Sequence, residues 1–404
     1  MKKKKPNNKT LIQIIKKTRY RFSKTIFKFK IKNKSKIKNK KMKRQPQFIL
    51  DNYFIKNGRP QYFYIDFTQK NPTPTWLHEK PKEINWINVI NWKYIGDVII
   101  CSKEKNINEN PPPYIKRVLS KINKDKVDNS ITVVPFLKSH LQKSIRRQLQ
   151  KQCIGTTFAL LKFNKNEFFR RVSIIMIEDT KLRNYYINYI WYLAALSKGY
   201  KLKHYQIDEI LKFASDTALN YKYDNIEISG SENIDNESLY KFIYEIELSN
   251  ITKKQKDLLF SFLLRIGYGG RDGDLKMVWD YSHTWFNRFK NGINCDNYDE
   301  YNIRDINLDW ALKNQICKFE DFIYQACDYI CFPKLMSDLI KDLKFKFKRD
   351  DLEMVIWDYS SGVNFRKGII KNEKYDKIWE KIFPILKRYQ EGYLSMMVLE
   401  VNSY

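Results

Sequence analysis

No Gly-Lys dipeptide occurs anywhere in the 404 residues. A G-x-x-x-x-G-K-[ST] phosphate loop is therefore excluded, and with it a P-loop nucleotide motor. Histidine is scarce: His78, His140, His204 and His283 are the four, and none has the spacing of a metal pair or a catalytic dyad. Cysteine is present six times, as Cys101, Cys153, Cys295, Cys317, Cys327 and Cys331, with no C-x-x-C pair. Scattered thiols without a framework read as free cysteines in a reducing compartment. Cys327 and Cys331 stand four apart, the spacing of one helix face. A metal there would need two further ligands, and no histidine flanks the pair. Long apolar runs are lacking too. The strongest, Ile190–Leu196, is far short of the roughly 18–20 residues of a membrane-spanning helix.

Acid is the most telling absence. The first acidic residue is Asp51, whereas 20 Lys and Arg lie between Met1 and Pro46. The rest of the chain holds 55 basic and 45 acidic residues, so it carries only +10 of the formal +30. Like charges this dense repel and resist packing, and residues 28–44 are of low complexity; residues 1–46 are expected to be a disordered Lys-rich tail. A concentrated polycation seeks a polyanion. Nucleic acid is the expected partner, through Lys2, Lys3, Lys4, Lys5, Lys40, Lys41, Lys43 and Arg44, because phosphate binding releases condensed counterions. An anionic membrane surface is the second choice. The stretch is not followed by the apolar region of a secretory signal. Its lack of acid and its apolar Leu11, Ile12, Ile14, Ile15, Phe22, Ile26 and Phe27 raise a mitochondrial presequence, against which lysine dominates over Arg, Ser and Ala. The excess of Lys, Asn and Ile also fits an AT-rich genome, so part of the lysine content reflects base composition.

Beyond the tail, 43% hydrophobic and 15% aromatic residues supply a large core. Tyr62–Thr68 and Trp92–Cys101 are dense in aromatic and β-branched residues and read as strands, the second broken by Gly96. Pro111–Pro113 reads as an extended linker, and Ile131–Val134 as a short strand closed by Pro135. After Pro135 the period becomes helical. Leu137, Leu141, Ile145 and Leu149 line one helix starting near Ser139; Phe168, Val172, Ile175 and Met176 line a second. Ile187, Ile190, Trp191, Ala194 and Ala195 line a third, stopped by Gly199. Ile207, Ile210, Leu211 and Ala214 make a fourth. Leu258, Leu259, Phe262, Leu263 and Ile266 make a fifth, ending at Gly267. Phe322, Ala326 and Ile330 suggest another, ended by Pro333. Ile378–Tyr389 and Tyr393–Val401 read as helices, with Pro384 expected to kink or split the first. The expected fold is mainly α. It comprises a multi-helix body over 136–404 with a candidate subdivision near 225–252, a small mixed α/β or β-rich module over 47–135, and the disordered tail.

Two arginine pairs stand out. Pro135–Arg147 reads PFLKSHLQKSIRR, and Phe168–Asp179 reads FFRRVSIIMIED. Arg146, Arg147, Arg170 and Arg171 can pair with Glu178, Asp179 and helix-end carbonyls between packed helices, and Arg171 and Glu178, seven apart, share a face. The competing reading is a phosphate-contacting surface of bidentate guanidinium clamps. Gly267–Gly273, GYGGRDG, is either a tight turn after the fifth helix or a phosphate-cradling loop using Gly269, Gly270 and Gly273 with the charge of Arg271. Asp272 and Asp274 would suit a divalent metal, yet no further Asp, Glu or His set completes a nuclease centre. No catalytic set, metal site or cofactor is assigned. Ser360, Ser361 and Asn364 read as helix caps or phosphate contacts. Tyr281, Trp285, Phe286 and Phe289 form a stripe of core rather than base-stacking character.

The order S-x-L-Q-K-S-I-R, then the small-residue helix Thr156–Leu161, then F-x-R-R-x-x-I-I-x-x-E-D resembles the helical region behind the ATPase core of clamp-loader-like AAA+ proteins of the RarA type. The likeness covers 60–80 residues or so. That resemblance implies an oligomer-forming helical scaffold acting near replicating DNA, here without the motor. PFLKSHLQKSIRR, RIGYGGRDGDLKM at Arg265–Met277, DYICFP at Asp328–Pro333 and IWDYSSGVNFRKG at Ile356–Gly368 are together similar to a set of uncharacterised proteins of large eukaryotic DNA viruses. That likeness implies a viral replication, repair or packaging context, hence host cytoplasm, virion or nucleus, with no activity attached. Three functions stay open. They are a non-catalytic nucleic-acid-associated accessory protein, a metal-dependent nuclease or nucleotide hydrolase, and a structural virion or membrane-surface protein.

Overall fold

The computed structural model describes residues 61–404, apart from 93–95, 107–110, 125–132, 221–223, 225, 227–233, 294–302, 304, 329–330, 344–346, 361–371 and 404. The expected tail and Cys295 lie outside the described residues. The chain divides between Asn57 and Gly58 into two units, and all the described residues belong to the second, Gly58–Tyr404.

A mainly helical body carries one small sheet. Strands β1 (Tyr62–Asp66), β2 (Thr75–Leu77), β3 (Trp86–Trp92) and β4 (Gly96–Lys103) order as β2-β1-β4-β3. β1 pairs antiparallel with β2 and parallel with β4, placing Phe63 opposite both Trp76 and Ile100. β3 and β4 form an antiparallel pair that opens at Trp92 and Gly96. Gly96 has φ 91°. The run from Trp92 to Cys101, expected as one interrupted strand, is thus the end of β3 and most of β4.

The described residues then form twelve α-helices: α1 (Pro113–Ile122), α2 (Val133–Arg146), α3 (Gln150–Asp179), α4 (Tyr186–Leu196), α5 (His204–Leu219), α6 (Asn236–Leu248), α7 (Lys253–Gly267), α8 (Asp272–Asn291), α9 (Leu308–Lys313), α10 (Pro333–Asp342), α11 (Arg349–Ser360) and α12 (Glu373–Asn402). α4 is apolar all round, and every one of its residues is buried, as a helix without a polar face must be. It is the axis of the core. Its Trp191 indole N–H donates to the Phe63 carbonyl of β1 at 3.1 Å, and its Asn188 amide donates to the Pro72 carbonyl at 2.7 Å. The sheet and the helices therefore share one core, from Phe63 to Met397. A second apolar cluster joins α10, α11 and α12 through Leu335, Leu339, Val355, Ile356, Ile382 and Leu386. No helix among the described residues is long and apolar enough to cross a membrane.

Four expectations are corrected. Val133 and Val134 open α2 instead of ending a strand. Pro135 is tolerated because N–H groups of a first helical turn have no intrahelical acceptor. Pro113 begins α1 rather than closing a linker, by the same rule. Phe322 and Ala326 do not lie on an α-helix. Two 3-10 turns, Phe319–Asp321 and Tyr324–Ala326, occupy that stretch, and a helix begins at Pro333. There the Ile323 N–H goes to His140 Nε2 at 2.9 Å and the Cys331 N–H to Asp328 Oδ1 at 3.2 Å, so side chains take the donors a helix would need. Cys327 and Cys331 consequently share no helix face. Finally, the two helices expected over Ile378–Tyr389 and Tyr393–Val401 are one, and α12 runs through Pro384 without the split. The proline is on the exposed side, where water can meet the Glu380 carbonyl that it leaves without a donor, while Ile378, Ile382 and Leu386 keep the buried stripe unbroken.

α7 ends against the sheet. A Cβ at Gly267 would stand 1.4 Å from the Trp92 indole nitrogen, so only glycine lets the helix end lie there. Gly267→Ala should destabilise the fold by about 1–3 kcal/mol, the usual cost of overpacking, read as a lowered midpoint in urea. An unchanged midpoint would show that the indole does not pack on this glycine.

Candidate nucleic-acid interface

The two arginine runs sit side by side on α2 and the second half of α3. α3 is two helical stretches joined at Asn164, whose φ of −160° breaks the helix. The Asn164 side-chain carbonyl accepts the Glu167 N–H at 3.1 Å and so restarts it. That restart sets the phase of Phe168–Asp179 against α2.

Arg146 is only 4% exposed, and its Nε donates to Asp179 at 2.6 Å while Nη2 lies 3.1 Å from Glu178. Burial pulls its guanidinium pKa down, but the Asp179 and Glu178 carboxylates outweigh this and hold it above the usual value. Gln142 completes the seam. Its amide donates to Asp179 at 2.8 Å and Glu178 at 3.0 Å, and its carbonyl accepts from Arg171. Arg147 donates to Gln325 Oε1 at 3.1 Å and to the Ser360 carbonyl at 3.3 Å. These two arginines are committed to the interior. Arg170 faces outward, 42% exposed, with Glu167 Oε1 at 3.8 Å.

Residues that sequence reasoning passed over complete the network. Lys143 and Asp328 form a buried ion pair at 2.6 Å, tying α2 to the segment before α10. His140 is fully buried. The Ile323 N–H donates to its Nε2, so the ring proton is on Nδ1, aimed at Thr156 Oγ1 at 2.7 Å. Burial, helped by Lys143 and Arg147, pushes its pKa down to about 3. It is a neutral strut, not an acid–base group.

The glycine loop meets the same edge of α3. Arg265, 2% exposed, donates from Nε to Ser173 Oγ at 3.1 Å, from Nη1 to the Gly269 carbonyl at 2.8 Å, and from Nη2 to the Arg170 carbonyl at 3.4 Å. Guanidinium capping of helix-end carbonyls of this kind also complements the negative end of α7. It brings together two motifs lying about a hundred residues apart: the Arg170 guanidinium lies 5.8 Å from the Tyr268 ring centroid. Gly269, at φ 88°, makes the turn; Gly270, Arg271 and Gly273 are exposed. Arg271 is the N-cap of α8, and Asp272 and Asp274 fill the first turn, where they complement the positive helix end. The loop surface is thus of mixed sign. Ser360 is buried and accepts from the Gln390 amide at 3.1 Å; Ser361 and Asn364 lie outside the described residues. Tyr281, Trp285, Phe286 and Phe289 are buried, as expected of a core stripe.

A second polar cluster joins the end of β4 to α4 and α5. The Glu104 carboxylate accepts from Ser102 at 2.6 Å, Tyr200 at 2.7 Å and Tyr205 at 2.9 Å. Nearby, Tyr192 donates to Glu209 at 2.9 Å. Desolvation raises the Glu209 carboxyl to about 7, against the smaller opposing effect of the Tyr192 bond. Among the described residues, no three His, Cys, Asp or Glu side chains gather in a way that could hold a metal ion. No family model matches the chain, and searches of curated proteins and of solved structures return no match.

This geometry has two measurable consequences. Arg146→Ala should cost about 3–5 kcal/mol, because it strands Asp179 in the interior; chemical denaturation reads it, and a loss under about 1 kcal/mol would show that the pair is not buried. Glu209 binds its proton more tightly folded than unfolded, so its contribution to stability falls as pH rises from about 4.5 to about 7. Comparing Glu209→Gln with the wild type, the gap in melting temperature should widen in favour of the variant across that window. A gap that does not move with pH would place the Glu209 pKa at its ordinary value.

Proposed function

We propose that this chain is a non-catalytic, nucleic-acid-associated accessory protein acting in viral DNA replication, repair or genome packaging, with the helical body mediating self-assembly. The observation that carries the reading is the stretch from Met1 to Pro46, with 20 basic residues and no acid. A duplex offers about one charge per 1.7 Å of axis, and each phosphate neutralised releases condensed counterions. Such a segment binds it without sequence preference. The non-catalytic part rests on the sequence, which has no Gly-Lys dipeptide and no assignable catalytic set. The viral setting and the self-assembly rest on the resemblances of the motif runs, and host cytoplasm, virion or nucleus follow from that setting.

The test compares the full chain with a form starting at Gln47, binding a labelled duplex across a salt series. Removal of the tail should weaken binding roughly 100-fold at low salt and flatten the slope of log affinity against log salt by several units, since each neutralised phosphate contributes about 0.9 to that slope. Unchanged affinity and slope would sink the reading.

A further inference from the structure

The two faces of the sheet differ in burial but not in chemistry. The inward positions, Phe63, Ile65, Trp76 and Ile100 among them, are buried against the helices. The outward positions form rows that the strand register spells out. Leu77, Tyr62, Ile99 and Val89 make one row across all four strands, and Thr75, Tyr64, Cys101 and Ile87 make the next. Neither row carries a charge. Polar residues close the face only at its ends, Asn91 with Asp97 at one and Asp66 with Lys103 at the other. A sheet with one face in water ordinarily turns polar side chains to it. Here Ile87 and Val89 are 49% and 45% exposed, and Tyr62, Tyr64, Leu77 and Ile99 are half-buried. A contiguous apolar surface of this kind marks an interaction site.

The edges of the sheet are closed to strand addition. On β3 the Val89 N–H donates to the Asn88 side-chain carbonyl at 2.8 Å, and the Asn88 amide donates to the Lys198 carbonyl at 3.3 Å. On β2, the other edge, Asp257 of α7 accepts from the Trp76 N–H at 3.0 Å and the Thr75 hydroxyl at 2.6 Å. An added strand would find these backbone donors taken. What stays open is the face.

We propose that this outer face, from Tyr62 and Tyr64 of β1 to Ile87 and Val89 of β3, is the surface through which two copies of this chain associate, sheet against sheet. The match of the face to itself picks the occupant. A two-fold axis lying between the copies, across the strands and over the middle of β4, sets each apolar row on the other row of the second copy. Ile99 then meets Cys101, Val89 meets Ile87, and Tyr62 meets Tyr64. The same axis brings Asp97 over Lys103 of the second copy. Each keeps the partner it has in the single chain: Asp97 accepts from Asn91 at 3.0 Å, and Lys103 bridges to Glu83 at 3.0 Å. The face measures roughly 20 by 20 Å, from four strands about 4.8 Å apart and the run from Asp97 to Lys103 at about 3.3 Å per residue. Two such faces bury on the order of 1,000 Å², the lower end for a specific interface, so the dimer is weak and reversible. The inference rests on the self-assembly in the proposed function and gives it a surface, the sheet that the helices carry.

Sedimentation velocity of the full chain from about 1 to about 100 μM, the span of a weak dimer, should show monomer giving way to dimer. Ile87→Lys with Val89→Lys sets lysine on lysine across the axis and should raise the dissociation constant about tenfold or more. Ile87→Glu with Val89→Glu should do the same alone, and an equimolar mixture of the two variants should restore association. Exposed edge-strand positions accept charge, so both variants should melt close to the wild type. A photo-crosslinking amino acid in place of Val89 gives an independent reading, a covalent dimer joined at Ile87 or its neighbours on β4. A chain that stays monomeric, a dimer indifferent to both variants, variants that fail to rescue one another, or crosslinks confined to one chain would each overturn the inference, the last by showing the face covered from within. Duplex binding is read on the same samples. A dimer that ignores the duplex overturns the nucleic-acid reading alone, and a monomer that binds it overturns this inference alone.

Discussion

The structure depends on burying a helix that has no polar face but carries polar atoms. α4 places Tyr186, Tyr189, Trp191 and Tyr192 in the core, and Tyr185, its N-cap, joins them. Aromatic rings contribute large apolar area, and their N–H and O–H groups favour partners at fixed directions. The hydroxyls of Tyr186 and Tyr189 find none among the described residues, whereas those of the other aromatics, with Asn188, decide what lies around the helix. Trp191 requires a free carbonyl on β1, and Phe63 provides it. Tyr185 donates to Asp216 at 2.8 Å and Tyr192 to Glu209, which places α5. Asn188 draws in the segment at Pro72. The sheet is thus fastened to the helices by hydrogen bonds from α4 and, at β2, by α7, whose Asp257 accepts from the Thr75 hydroxyl at 2.6 Å and the Trp76 N–H at 3.0 Å, with aromatic contacts such as Phe67 on Trp191 filling the space between.

Inside, Arg146 is matched by Asp179 and Glu178, Lys143 by Asp328, and Arg265 by three neutral acceptors near the negative end of a helix. Ion pairs of this sort add little net stability over apolar residues of the same size, but losing one partner is expensive. They act as registers that fix how α2 sits on α3 and how the loop at Gly269 sits on α3.

Much of the body was legible from periodicity. The stripes ending at Gly199 and Gly267 correspond to α4 and α7, because hydrophobic spacing and glycine stops are local signals. The departures share a cause. At Val133–Pro135 and at Pro113, proline opens a helix, although its missing N–H makes it equally suited to ending one. At Phe322–Cys331 an apolar i, i+4 spacing is outweighed by side chains that seize backbone donors, His140 from a distant helix and Asp328 from within the segment. No local pattern carries that information. For the site, the pairing of Arg146 with Glu178 and Asp179 was one of two readings the sequence offered. Lys143 and Arg265 were not legible at all, since what distinguishes them is burial and the identity of neighbours far along the chain.

The same distinction bears on what the resemblances can mean. The run that resembles clamp-loader-like helical regions is carried by Gln142, Arg146, Arg171, Glu178 and Asp179, and in this fold those side chains hold one another between two helices. A likeness carried by interlocking polar residues reports a way of packing helices, and a packing solution can be shared by proteins that touch different partners. The resemblance therefore bears on how α2 sits on α3 and carries no partner with it.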